Sequence, residues 1–186
     1  LLTLHLVDRR LGGLLSSLLP APRIHVSAVL PAAAAGPLEA LRRRWDPVMA
    51  ELVPAHLTVA YPEEAPDAVL LHARAAEAAA REHAFAIGLA GVVALKGGQG
   101  GVFIQVTDLD GGWARVRRRV LMPPFAAAAC EPHVTIAHPR TSRDGPGACS
   151  ALRNYRANLE FVVTELILTA TTDTEYQLVE RFPLCR

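Results

Sequence analysis

One short pattern is written twice in this chain. AHLTVAYP at 55–62 and PHVTIAHP at 132–139 share His, Thr, Ala and Pro in register, with apolar residues between them. Each copy enters after a proline-containing turn and leaves at a proline, and the two histidines stand 77 residues apart in a chain of 186 with 7 histidines. A repeat at half the chain length points to two duplicated lobes that face each other, because a solenoid would need more copies. Within each copy the alternation is that of a strand, in which residues i and i+2 share a face. His56 and Thr58 therefore project together while Leu57 and Val59 point into a core, and His133 and Thr135 do the same over Val134 and Ile136. Two lobes related by a pseudo-twofold axis would bring two imidazoles and two hydroxyls to one cleft.

The rest of the chain is read around these two strands. Hydrophobic residues make up 51% against 20% charged, which is enough for a packed core in one domain or one bilobal unit and excludes a disordered chain. RIHVSAVLP alternates at period two and reads as a strand with Ile24, Val26 and Ala28 on one face. GPLEALRRRWDPVMAEL follows as a helix, with Pro37 near its first turn and Pro47 interrupting or ending it. APDAVLLHARAAEAAAREHA is an alanine-rich amphipathic helix. FAIGLAGVVALK and GVFIQVTDLD are strands joined by GGQGG, which is a hairpin turn rather than a phosphate loop because no GK[ST] follows and a strand comes next. GWARVRRRVLMPPF is helical, GACSALRNYRANL is expected to be a second helix, and EFVVTELILTAT with EYQLVERFPL forms an expected antiparallel pair. Single helices between strands could build a parallel sheet, but the hairpin-like pairs favour an α+β fold.

Several classes are excluded or left without support. A net charge of +1 gives no global attraction for long nucleic acid, although it leaves room for a local basic patch. Cys130, Cys149 and Cys185 show neither CxxC nor Cys/His metal spacing and are read as reduced thiols in a cytoplasmic protein. The apolar N-terminal stretch is broken by Asp8, Arg9, Arg10 and a Gly-Gly pair before it reaches spanning length, so no membrane helix is expected there. It also lacks the basic start of a signal peptide, and residues 1–22 are left unassigned.

The duplicated residues suit phosphoryl chemistry. Displacement at phosphorus needs one group to remove a proton from the attacking oxygen and another to protonate the leaving oxygen. Two imidazoles divide that work because an unperturbed pKa near 6.5 lets one be neutral while the other is protonated. Threonine hydroxyls donate to the non-bridging oxygens. A zinc site is the competing reading, yet neither motif carries Asp or Glu at ligand spacing, and His-x-Thr offers one good ligand. His5, His25, His72, His83 and His138 are read as ordinary structural or surface histidines. Arg42 to Arg44 and Arg115 to Arg119 are read as solvated helix faces, with steering of an RNA end as the sharper alternative. Tyr61 and Phe103 are candidate substrate contacts that could stack on a base, although an apolar strand makes core packing the first reading of Phe103.

At these motifs the chain resembles the two-histidine (2H) phosphoesterase superfamily, and within it the bacterial 2′-5′ RNA ligase or RNA 2′,3′-cyclic phosphodiesterase family. His56-Leu57-Thr58-Val59 and His133-Val134-Thr135-Ile136 match its His-x-Thr-x signature, and element order extends the likeness over residues 23–183. The resemblance implies a bilobal α+β fold over 23–186, with two antiparallel sheets forming a central cleft and helices outside. It implies metal-independent opening of a cyclic phosphate on ribose, with no cofactor. His56 and His133 become the acid/base pair, with His133 inclined to base and His56 to acid, and Thr58 and Thr135 become the phosphate contacts. The substrate is then an RNA end or a cyclic nucleotide, the protein a monomer, and reverse 2′-5′ ligation would use the same groups. The chain departs from its own first copy at the second exit, where His138 replaces Tyr61 and has no family role. Two rivals stay open: a cyclic phosphodiesterase for an ADP-ribose-type molecule, and a non-catalytic nucleotide-binding module.

Overall fold

The computed structural model describes residues 21–94 and 101–185. The first four residues of the expected GGQGG turn and the N-terminal stretch through residue 20 lie outside the described residues. The motif strands are β2 (His56–Ala60) and β5 (His133–Ala137). Each lies at the edge of a four-stranded sheet and pairs antiparallel with a single neighbour, β1 (Arg23–Val29) for β2 and β4 (Val102–Asp108) for β5. With β3 (Phe85–Ala94), β6 (Arg156–Val163), β7 (Glu165–Thr171) and β8 (Tyr176–Pro183), the sheet orders are β2-β1-β7-β8 and β5-β4-β3-β6. Every pairing within the two sheets is antiparallel, so the α+β fold with two facing antiparallel sheets is what the chain adopts.

The duplication is not a simple cut of the chain into halves. The first sheet is completed only when the chain returns at its end as β7 and β8. This return explains why EFVVTELILTAT does not form one strand. It divides at Thr164, so that β6 ends in the second sheet and β7 begins in the first.

Five helices lie among the described residues: α1 (Ala32–Trp45), α2 (Pro47–Leu52), α3 (Ala68–Arg81), α4 (Gly112–Val120) and α5 (Gly145–Leu152). Two depart from expectation. The Ala32–Ala35 run has high helix propensity and starts α1 ahead of Pro37, which is thereby carried inside the helix. Pro47 does not merely end that helix. It begins α2, behind an Asp46 cap whose carboxylate accepts the Met49 N–H. The helix expected over GACSALRNYRANL stops at Leu152, because from Arg156 onward the side chains alternate exposed and half-buried at the period of a strand. No helix among the described residues is long and apolar enough to cross a membrane.

Two of the helices cross between lobes. α1 follows β1 of the first sheet yet packs on β5, and α4 follows β4 of the second sheet yet packs on β2. Trp113 of α4 donates its indole N–H to the Thr58 carbonyl at 3.0 Å, anchoring that helix across the first motif. Gly112 lets the start of α4 lie against β3, since a Cβ there would come within 2.0 Å of Phe85. The core runs beneath both motifs. Leu57, Val59, Val134 and Ile136 are essentially inaccessible, each burial stabilising by roughly 1.5–3 kcal/mol. Slipping either strand by one residue would drive these side chains into the cleft and bury its histidine, so the register that places the site is held by the core.

Candidate active site

Both motif strands turn their polar face to one cleft of about 460 Å³ between the sheets. His56, Thr58, Tyr61, Phe103, His133 and Thr135 all line it. The two histidines are fixed in the same way. His56 Nδ1 lies 2.8 Å from the Pro54 carbonyl oxygen, and His133 Nδ1 lies 2.9 Å from that of Glu131, in each case two residues back. A carbonyl only accepts, so Nδ1 carries the hydrogen in both rings. Each Nε2 is then the nitrogen left for chemistry, a proton acceptor when the ring is neutral and a donor when it is charged. Repetition of the motif therefore extends to the tautomer.

The surroundings differ. Phe103 packs edge-on against His133, with centroids 4.8 Å apart, and the Tyr61 hydroxyl lies 3.3 Å from His133 Nε2. On β4 the side chains of Val102 and Ile104 are buried and Phe103 is half-buried on the opposite face, which is why it reaches the cleft from an apolar strand. Burial lowers the pKa of His56, and the Arg42 guanidinium and the His133 ring lower it further, outweighing the hydrogen bond to Pro54. His25, on β1, is lowered to about 4 by burial, then by His56 and Arg23. Tyr61 is pushed up to about 12, chiefly by burial.

The exit of each motif is held by a buried acid, and the bonds cross between lobes. Glu64, just past β2, accepts the Tyr61 N–H and pairs with Arg117 of α4, which also donates to the Val59 carbonyl and, at 2.9 Å, to that of Ala128. Burial pushes the Glu64 carboxyl up, but its bonds from Arg117 and from two backbone N–H groups outweigh this and hold it below the usual range. On the other side Asp46, wholly buried between α1 and α2, accepts the His138 N–H and the Thr141 hydroxyl, both at 2.8 Å. Arg42 donates to the carbonyls of Met49 and Val53 and pairs with Glu39, which receives the Ala55 N–H. The approach to His56 is thereby fixed.

These residues correct two readings. Arg43 and Arg44 are exposed as expected of a solvated face, whereas Arg42 is buried at the cleft, and in the second cluster Arg117 is buried in its ion pair. His25 and His138 also line the cleft rather than standing apart from it, while His72 pairs with Glu180 away from it. The three cysteines are free thiols. Among the described residues no three His, Cys, Asp or Glu side chains are grouped as ligands for a metal ion.

The family model of the 2′-5′ RNA ligase superfamily matches residues 30–175, a span that holds both motifs. The chain belongs to the 2′-5′ RNA ligase superfamily, of the 2H phosphoesterases. Its fold is that of solved structures of low sequence identity. Escherichia coli LigT in complex with 3′-AMP superposes with a TM-score of 0.65 at 20% identity, covering 90% of this chain and all (100%) of that one. A protein described as a phosphoesterase gives 0.64 at 19% over 90% and 100%. The TT0787 protein of Thermus thermophilus gives 0.58 at 19% over 87% and 97%. No curated protein matches the chain by sequence.

Proposed function

We propose that this superfamily member hydrolyses a 2′,3′-cyclic phosphate, at an RNA end or on a nucleotide, to a phosphomonoester, without a metal ion. The observation that carries the reading is the matched pair of imidazoles, each with Nδ1 held by the carbonyl two residues back and both on one cleft with a threonine beside them. In this reading His133 Nε2 takes a proton from water as its oxygen attacks phosphorus. One P–O bond to ribose breaks, and His56 Nε2 delivers the proton to the departing ribose oxygen. Thr58 and Thr135 donate to the non-bridging oxygens as charge develops there. The reverse step, with a hydroxyl as nucleophile, joins a cyclic end by the same groups.

An acid must be protonated, and burial depresses the pKa of His56. A phosphate anion between the rings brings an opposite charge beside it and raises it again. The cleft has the size of a nucleotide site. LigT structures carry 3′-AMP, NADP+ and ATP, which supports a nucleotide-like substrate here. The reading is tested by offering a 2′,3′-cyclic mononucleotide and a short RNA with a cyclic end, and following phosphorus by NMR. Conversion of either to a monoester is expected. Tight binding of both without turnover would overturn the reading in favour of a nucleotide-binding module.

A further inference from the structure

Tyr61 does more in this cleft than offer a ring. Its hydroxyl lies 3.3 Å from His133 Nε2. Because His133 gives its Nδ1 hydrogen to the Glu131 carbonyl, the neutral ring presents only a lone pair at Nε2, and the tyrosine must be the donor. The result is a chain of donors running one way across the cleft, from Tyr61 through His133 to the Glu131 carbonyl. With its pKa near 12, Tyr61 keeps its hydrogen throughout the working range. The tyrosine backbone is itself clamped, its N–H given to Glu64 at 3.0 Å. At the matching place in the second copy, His138 instead accepts from its own loop, with Arg140 N–H on its Nδ1 at 3.2 Å. The first copy thus reaches over to the second.

We propose that Tyr61 is a positioning residue for His133, its hydroxyl holding the Nε2 lone pair toward the cleft until the oxygen to be deprotonated takes its place. Nε2 has one lone pair, so tyrosine and nucleophile occupy it in turn. A bond of 3.3 Å is long enough to be exchanged readily. While it lasts, it fixes the direction of the lone pair; the hydroxyl can also turn and accept from a protonated Nε2, so it sets orientation rather than charge. The inference rests on the reading of His133 as base.

The groups that face His133 are His56 across the cleft, Thr58 and Tyr61 from the first motif, Cys130 and Glu131 on its own approach, and Phe103 from β4, with the Glu64–Arg117 pair behind Tyr61. Tyr61→Phe leaves all the others in place. The nitrogen NMR resonance of His133 Nε2 in the neutral ring is compared in the unmodified chain, in Tyr61→Phe, and with 3-fluorotyrosine at position 61, a more acidic and therefore stronger donor. A nitrogen lone pair that accepts a hydrogen bond resonates upfield of a free one, so the resonance is expected to move downfield in Tyr61→Phe and upfield with fluorotyrosine. Loss of packing alone would not give opposite shifts. A resonance unmoved by both changes overturns the proposal. The spectrum needs no turnover, so an inactive enzyme with these shifts counts against the proposed reaction and leaves the role of Tyr61 standing.

Discussion

His56 and His133 sit in duplicated strands, make the same backbone bond and face the same cleft, yet they are not equivalent. His56 has burial and the Arg42 charge acting on it, whereas His133 has the Tyr61 hydroxyl at its outer nitrogen and the Phe103 ring at its edge. Duplication thus supplied two copies of one geometry, and the neighbours supplied the difference. A reaction that needs an acid and a base at once needs both parts. In the proposed reaction symmetry would place the groups on opposite sides of a phosphate, and asymmetry would allow them different protonation states.

The most severe way to break the comparison is to remove one member. Replacing either His56 or His133 by Ala is expected to lower kcat by roughly 10²–10⁴-fold, and the double variant should cost little beyond the worse single one, because the pair acts as a unit. Full additivity in single-turnover assays would mean that the two rings work independently. Thr58→Val and Thr135→Val should be milder, raising the barrier by roughly one to three kcal/mol each, as for one hydrogen bond to developing charge. Unequal losses would sharpen the comparison, since Thr58 is buried and Thr135 only half-buried.

The two clamps can be broken separately. Glu64→Gln leaves the Arg117 guanidinium buried without its counter-ion and is expected to destabilise by roughly 3–5 kcal/mol. Asp46→Asn keeps one acceptor oxygen for the second motif's exit loop and should cost less, about 1–3 kcal/mol. Urea unfolding of both variants checks the order. Equal small effects would show that the exits need no such support.

How much of this could be read in the sequence follows the same division between repeat and surroundings. The alternation HxTx fixed which residues face the cleft, and the doubled motif announced that two strands must meet. Arg42 and Arg117 were hidden by charge, since a basic run reads as solvated. A helical-face reading finds them, because Arg42 continues the buried line of Ala34 and Leu38, and Arg117 stands with Trp113, Val116 and Val120. Asp46 carried a signal too, as a cap before proline, but its bonds to His138 and Thr141 span more than ninety residues. No local pattern reports them. The crossing of two helices between lobes and the return of β7 to β1 are likewise long-range pairings that periodicity does not encode.

A smaller effect tests the buried side of the comparison through pH. With His25 at about 4 in the folded protein and near 6.5 when unfolded, the unfolded chain binds more protons between those values. Stability is therefore full above pH 6.5 and declines as pH falls toward 4, with the lowered His56 acting in the same direction. Because the ring lines a solvent-filled cleft, the loss is expected to be about 1–2 kcal/mol. His25→Gln should flatten the slope of unfolding free energy against pH in that window. An unchanged slope would mean that water reaches the ring freely.

The smallest expected effect is none. If the two lobes between them supply the proton acceptor, the proton donor and two hydroxyl donors for the phosphate, chelation removes nothing that the reaction uses. Turnover of a 2′,3′-cyclic mononucleotide should then persist in excess EDTA at an unchanged rate, in both the hydrolytic and the joining direction. A metal mechanism would put the charge stabilisation on the ion and lower the pKa of its bound water, so that losing it would cost most of the rate. Complete loss of activity with chelator, restored by added zinc or manganese, would show that a cation does what is here assigned to the threonines and one histidine. The difference between His56 and His133 would then have to be read as a difference between a ligand and a base.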